Sequence, residues 1–164
     1  MIAKVVSRVF LAFFIILFSQ LPVFVDQYEI RLQGHVAESL RQIQAFQTAA
    51  AMSGKTLPQY ISKFAEQADP DFKSQGKLME DAVERNLSLT RASEALKVAN
   101  LFIRPVVFIR YVDTQVLADA WKSFTPGLSF DLNMALWAGT GFLFGWLLLM
   151  ALKGVFGPES VKKV

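Results

Sequence analysis

Tyr28, Arg31, His35 and Glu38 follow one another at steps of three, four and three, so on a helix they share one face, with Asp26 and Gln27 at its base. That face carries a phenol, a guanidinium, the chain's only histidine and a carboxylate, groups able to pass a proton or to begin a metal site. The chemistry is incomplete. A single histidine with no second ligand of its kind and no positioned partner is a weak basis for either activity. The six residues are therefore read first as a candidate partner face, a polar stripe for hydrogen bonding to a neighbouring helix. A His35-dependent enzyme, with Glu38 or Asp26 assisting, ranks third among the functions considered.

Other stretches give less. "DPDFKSQGKLME", Asp69 to Glu80, puts acids at positions one, three and twelve of a calcium loop, but Lys73 holds position five and Ser74 stands where the turn needs glycine. Helix capping accounts for the aspartates. There is no glycine-rich phosphate loop and no serine-centred hydrolase turn. With no cysteine, thiol catalysis and thiolate metal sites are excluded. No catalytic residue, metal or cofactor is expected, and no nucleic acid, because the basic residues form no face interleaved with aromatics.

Two features point to a membrane. Gly141 and Gly145 stand in G-x-x-x-G spacing, and Ala135 with Gly139 in the weaker small-x-x-x-small form. Small residues one turn apart let helix backbones approach closely in lipid, so these four are candidate helix-contact residues, against the first span or against another chain. "ANLFIRPVVFIRYV", Ala99 to Val112, is apolar but contains Arg104 and Arg110. A central arginine costs about 2.5 to 3.5 kcal/mol in a spanning helix, so this is an interfacial segment or a core helix, and its arginines are candidate lipid-headgroup ligands.

The elements that position these residues follow from periodicity. Two apolar runs, Val9–Val25 and Leu132–Phe156, are each long enough to cross a hydrocarbon core of about 30 Å. The first has the basic start and apolar middle of a secretory signal but no small-residue exit, so it is expected to stay as an anchor. Beyond it, Leu32, Val36, Leu40, Ile43, Phe46 and Ala50 predict one long helix to Met52, entered through a proline-adjusted turn at Pro22 and ended by "SGK". Thr56, Pro58 and Gln59 predict a capped short helix to about Ala68, and "ADPDF", Ala68 to Phe72, is a turn that can cap another helix, with Asp69 before Pro70. A second long helix is predicted from Lys77 to Ile103, packing antiparallel on the first in coiled-coil fashion, then a short one from Thr114 to Phe124.

The fold class expected is an all-α membrane protein, two transmembrane helices flanking a helical periplasmic hairpin or bundle. Lys4, Arg8, Lys153, Lys162 and Lys163, beyond or at the inner ends of the apolar runs, stand against the single acid Glu159, while residues 26–131 carry twelve lysines and arginines against thirteen acids. Basic tails stay inside. The expected organisation is a cytoplasmic tail 1–8, a span 9–25, a periplasmic domain 26–131 with the interfacial segment 99–112, a span 132–153 and a cytoplasmic tail 154–164. Ser129 and Asp131 are expected to open the second span.

"SQLPVFVDQYEIRLQGHVAE" and "FTPGLSFDLNMALWAGTGFLFGWLLLMAL" together resemble a bacterial membrane family catalogued as domain of unknown function 2937. The likeness covers nearly the whole chain and is most specific at Gln20, Pro22, Asp26, Gln27, Tyr28, Arg31, Gly34 and His35. It implies two spans around a helical exported region in Gram-negative bacteria, and no particular reaction, ligand or partner. The function expected first is a non-catalytic accessory or scaffold subunit of an inner-membrane complex, or a homo-oligomer, with membrane lipid and another membrane protein or itself as partners. A lipid- or envelope-interacting periplasmic binding protein is the alternative.

Overall fold

The computed structural model describes residues 2–100, 102–127 and 132–156. Ser129, Asp131 and the tail residues Glu159, Lys162 and Lys163 lie outside them. The described residues form six helices: α1 (Ile2–Met52), α2 (Leu57–Ala65), α3 (Pro70–Val98), α4 (Arg104–Tyr111), α5 (Thr114–Lys122) and α6 (Leu132–Phe156). The chain divides into two compact units, Met1–Asp26 with Phe124–Val164, and Gln27–Ser123.

In the first unit the small residues of α6 meet the phenylalanines of α1. A Cβ added at Gly141 would stand 2.5 Å from the Phe14 carbonyl oxygen and 2.7 Å from the Phe18 Cβ. One added at Gly145 would stand 3.1 Å from the Phe14 Cβ. The absent side chains are what allow the contact, and the Phe144 ring fills the space beside them, 5.5 Å from the Phe14 ring and 5.4 Å from that of Phe18. Tilted aromatic pairs at such separations contribute roughly 0.5–1.5 kcal/mol each beyond burial. Gln20 closes the other end: its Nε2 donates to the Gly127 carbonyl at 3.3 Å and its Oε1 accepts from the Gly127 N–H at 3.2 Å. The remaining faces are apolar and exposed, among them Val9, Phe13, Ile16, Leu143, Leu147 and Met150. Both helices are long and apolar enough to span a membrane, with peak mean hydropathy of 2.2 and 1.8 and only 11% of each apolar window buried.

Helix α1 runs through Pro22 without interruption, so no separate turn is needed there. Proline removes one backbone hydrogen bond and costs about 3 kcal/mol in an exposed helix interior. Pro22 is buried, and packing offsets that loss. The helix ends as "SGK" predicts: Gly54 takes φ +65, Gly54 N–H donates to Ala51 O and Lys55 N–H to Ala50 O, each at 2.9 Å. This is the Schellman arrangement, whose left-handed position favours glycine.

In the second unit the outer part of α1 and α3 run antiparallel. Leu32, Ser39, Ile43 and Ala50 are buried on one, and Met79, Leu89, Ala92, Ser93 and Leu96 on the other. The predicted stripe is right except at Leu40, which is 47% exposed while Ser39 takes the inner place. The true seam, 32, 36, 39, 43, 46 and 50, alternates four and three without a break. Ser39 is tolerated there because the Asn86 amide of α3 donates to its Oγ at 2.8 Å. Helix α2 ends at Ala65, earlier than predicted, because the N-terminal turns of α3 cross it: a Cβ at Gly76 would lie 2.7 Å from the Ala65 nitrogen. Helix α3 begins at Pro70 rather than Lys77, with the Asp69 carboxylate accepting from Asp71 N–H, and ends at Val98 rather than Ile103, where the Asn100 side chain accepts from the Phe102 and Ile103 N–H groups. The short helix predicted to Phe124 stops at Lys122.

Candidate functional site

The second unit contains a polar junction that the periodicity of α1 sets up. Tyr28 lies four residues before Leu32, in phase with the buried seam, and is 0% exposed. Its ring meets Phe108 edge-on with centroids 4.9 Å apart, and its hydroxyl accepts from the Asp113 N–H at 2.9 Å. Asp113 in turn caps α5, its Oδ1 accepting from the N–H groups of Gln115 and Val116, while its Oδ2 lies 3.6 Å from an Arg85 Nη. Burial raises the Tyr28 pKa above its usual value, the hydrogen bond from the Asp113 N–H lowers it, and the Asp113 carboxylate raises it further; the net shift is upward. A phenol held neutral in this way is a structural fastener, poorly suited to give up a proton.

One residue along, Glu29 forms an ion pair with Arg104 at the start of α4, both largely shielded. The Arg104 guanidinium is thereby turned to the protein. Two turns further out, His35 Nε2 stands 3.4 Å from Asp119 Oδ2 of α5, and Lys122 Nζ lies 3.7 Å from the other Asp119 oxygen. Arg31 and Glu38 are exposed and line an open depression with Gly34 and His35, and Glu38 pairs with Arg41. Gln27 is half-buried, and Asp26 is exposed and belongs to the first unit.

The six residues expected on one partner face are thus divided. Tyr28 is in the core, His35 bridges to α5, and Arg31 and Glu38 look outward. Sequence reasoning missed Glu29, Arg85, Asp113 and Asp119, each distant in sequence from its partner. For Tyr28 the signal was present: extending the apolar stripe back by one step places it inside. Of the four small residues on α6, Gly141 and Gly145 are spent on α1 of the same chain, whereas Gly139 has nothing within 4 Å and Ala135 is exposed. Of the two arginines, Arg104 is engaged by Glu29, and only Arg110 is exposed, its guanidinium 5.8 Å from the Tyr111 ring centroid.

Among the described residues there is no group of three or more histidine, cysteine, aspartate or glutamate side chains able to hold a metal ion. The junction joins helices: Tyr28, Glu29 and His35 of α1 are each matched to a polar group on or beside a later helix. The family model described as protein of unknown function (DUF2937) matches residues 2–160. The chain belongs to that family. No curated protein and no solved structure matches it. The family description carries no reaction, so the residues themselves must supply the functional reading.

Proposed function

We propose that the protein is a two-span integral protein of a bacterial inner membrane, with both termini in the cytoplasm and the Gln27–Ser123 unit in the periplasm, acting as a non-catalytic accessory or scaffold subunit. The observation that carries this reading is the exposed apolar surface of α1 and α6. A core helix of a water-soluble protein would be mostly covered, and here only 11% of each apolar window is. Lipid is the solvent in which such a surface is stable. The basic excess of the tails supports the orientation. The polar junction supports a scaffold, because its ion pairs and hydrogen bonds hold helices together.

The test is extraction in mild detergent of the chain, tagged at its carboxyl end and expressed from its own locus, followed by native mass measurement and identification of what travels with it. A stoichiometric membrane partner or a defined homo-oligomer is expected. A lone monomer would overturn the accessory role. The orientation is checked separately. The chain has no cysteine, so single-cysteine variants have no background. Thr48→Cys should react with an impermeant maleimide from the periplasmic side and Ser7→Cys should not.

A further inference from the structure

Helix α4 is built inside out for a water-facing helix. Its charged Arg104 turns inward to Glu29, and its Phe108 turns inward to Tyr28, whereas Phe102 (82% exposed), Ile103 (52%), Val106 (64%) and Ile109 (74%) face away from the protein. Val106 and Ile109 lie three apart on one outward face of α4, with exposed Phe102 in the turn before it and Arg110 and Tyr111 beside them. None of the helix's own residues is buried.

We infer that α4 is an in-plane membrane anchor whose Phe102, Val106 and Ile109 side chains sit in the headgroup–acyl boundary of the outer leaflet, with Arg110 and Tyr111 at the level of the lipid phosphates. The inference rests on the two-span reading and adds a lipid-binding surface to it. Glu29 lies four residues beyond Val25, where the apolar run of α1 ends, and the helical rise makes that about 6 Å. The polar layer on each side of a hydrocarbon core is about 5 to 8 Å thick. The Glu29–Arg104 pair therefore ties the start of α4 to the headgroup level. An apolar stripe with an arginine and a tyrosine at its edge is the composition that such a layer holds. Arg104, expected from sequence to meet lipid, acts instead as the latch that fixes the helix to α1, and the apolar side chains make the contact.

The experiment uses the full chain in phosphatidylcholine–phosphatidylglycerol nanodiscs, with single cysteines at Val106, Ile109, Leu143 and Thr48 carrying an environment-sensitive fluorophore. Two quenchers are compared: brominated acyl chains and aqueous iodide. Probes in Val106→Cys and Ile109→Cys should be quenched severalfold more by brominated lipid than Thr48→Cys and should be shielded from iodide. If Leu143→Cys is quenched by lipid while the α4 probes are quenched only by iodide, the anchor is refuted and the two-span reading stands. If Leu143→Cys also escapes the lipid quencher, the two-span reading itself falls. α4 probes shielded from both quenchers would show that protein covers this face, and would likewise overturn the lipid contact. Far-UV circular dichroism of each labelled variant, matched to the parent chain, confirms that the helices are retained.

Discussion

Tyr28 concentrates several interactions in one side chain: ring packing on Phe108, a hydroxyl that accepts from the Asp113 N–H, and a place in the buried seam. Tyr28→Phe keeps the packing and leaves that N–H without its acceptor, so a loss of about 1 to 2 kcal/mol is expected by denaturant unfolding in detergent. Tyr28→Ala should cost about 3 to 5 kcal/mol, because the ring goes as well. The raised phenol pKa sets a pH dependence. Above about pH 10 the unfolded chain's tyrosine gives up its proton while the folded one keeps it, so the folded state binds more protons and stability falls as pH rises. Unfolding measured from pH 9 to 11 should show this slope, and Tyr28→Phe should reduce it. Glu29→Gln removes the carboxylate charge beside a shielded arginine at an expected cost of about 2 kcal/mol. Adding Arg104→Gln to it should cost less than the two separate losses together, since the two residues share one interaction. His35 has a partly exposed partner and no second ligand, so growth of a His35→Ala strain should match the parent; a growth defect with the protein still present would revive the enzymatic reading.

At the scale of elements, the glycines of α6 rank themselves. Gly141→Ala forces a methyl to within 2.5 Å of the Phe14 carbonyl oxygen, Gly145→Ala puts one 3.1 Å from the Phe14 Cβ, and Gly139→Ala meets open space. Thermal unfolding in detergent should follow that order, with a loss of about 1 to 3 kcal/mol at Gly141, less at Gly145 and almost none at Gly139. The sequence made the existence of the helices legible, through apolar periodicity, and several of their ends, through Thr56 with Gln59, Asp69 and Gly54. Asp69 before Pro70 marked a helix start, but the sequence did not show that this helix runs unbroken into the one read from Lys77, because the close fit at Gly76, the backbone of α2 lying against it, is tertiary. Leu40 was misplaced for a related cause. Hydrophobicity favoured it over Ser39, whose hydroxyl donates to the Val36 carbonyl of its own helix and accepts from the distant Asn86 amide. A polar pair in an otherwise apolar seam fixes register. Ser39→Ala with Asn86→Ala should therefore loosen the pairing of α1 and α3, seen as faster amide exchange along both helices.

For the whole molecule, three long-range pairs in the Gln27–Ser123 unit draw the later helices onto α1: Glu29 takes Arg104, Tyr28 takes Asp113, His35 takes Asp119. That pattern was hidden in the sequence, since no local spacing links residues so far apart; the polar stripe was visible, and its matching half was not. Association with a further copy or partner in the membrane has to use faces other than the Gly141–Gly145 notch, because the chain already fills it. The Gly127 contact has a mechanical meaning as well. Gln20 grips a backbone group five residues before α6 begins, so α1 holds both the glycines of α6, at Phe14 and Phe18, and the Gly127 backbone that precedes the helix. A slip of α6 by one turn, about 5.4 Å, would bring either Trp137 or Leu149 into a glycine's place. The pair cannot work as a piston. A displacement of the pair must be a tilt or rotation of both helices together.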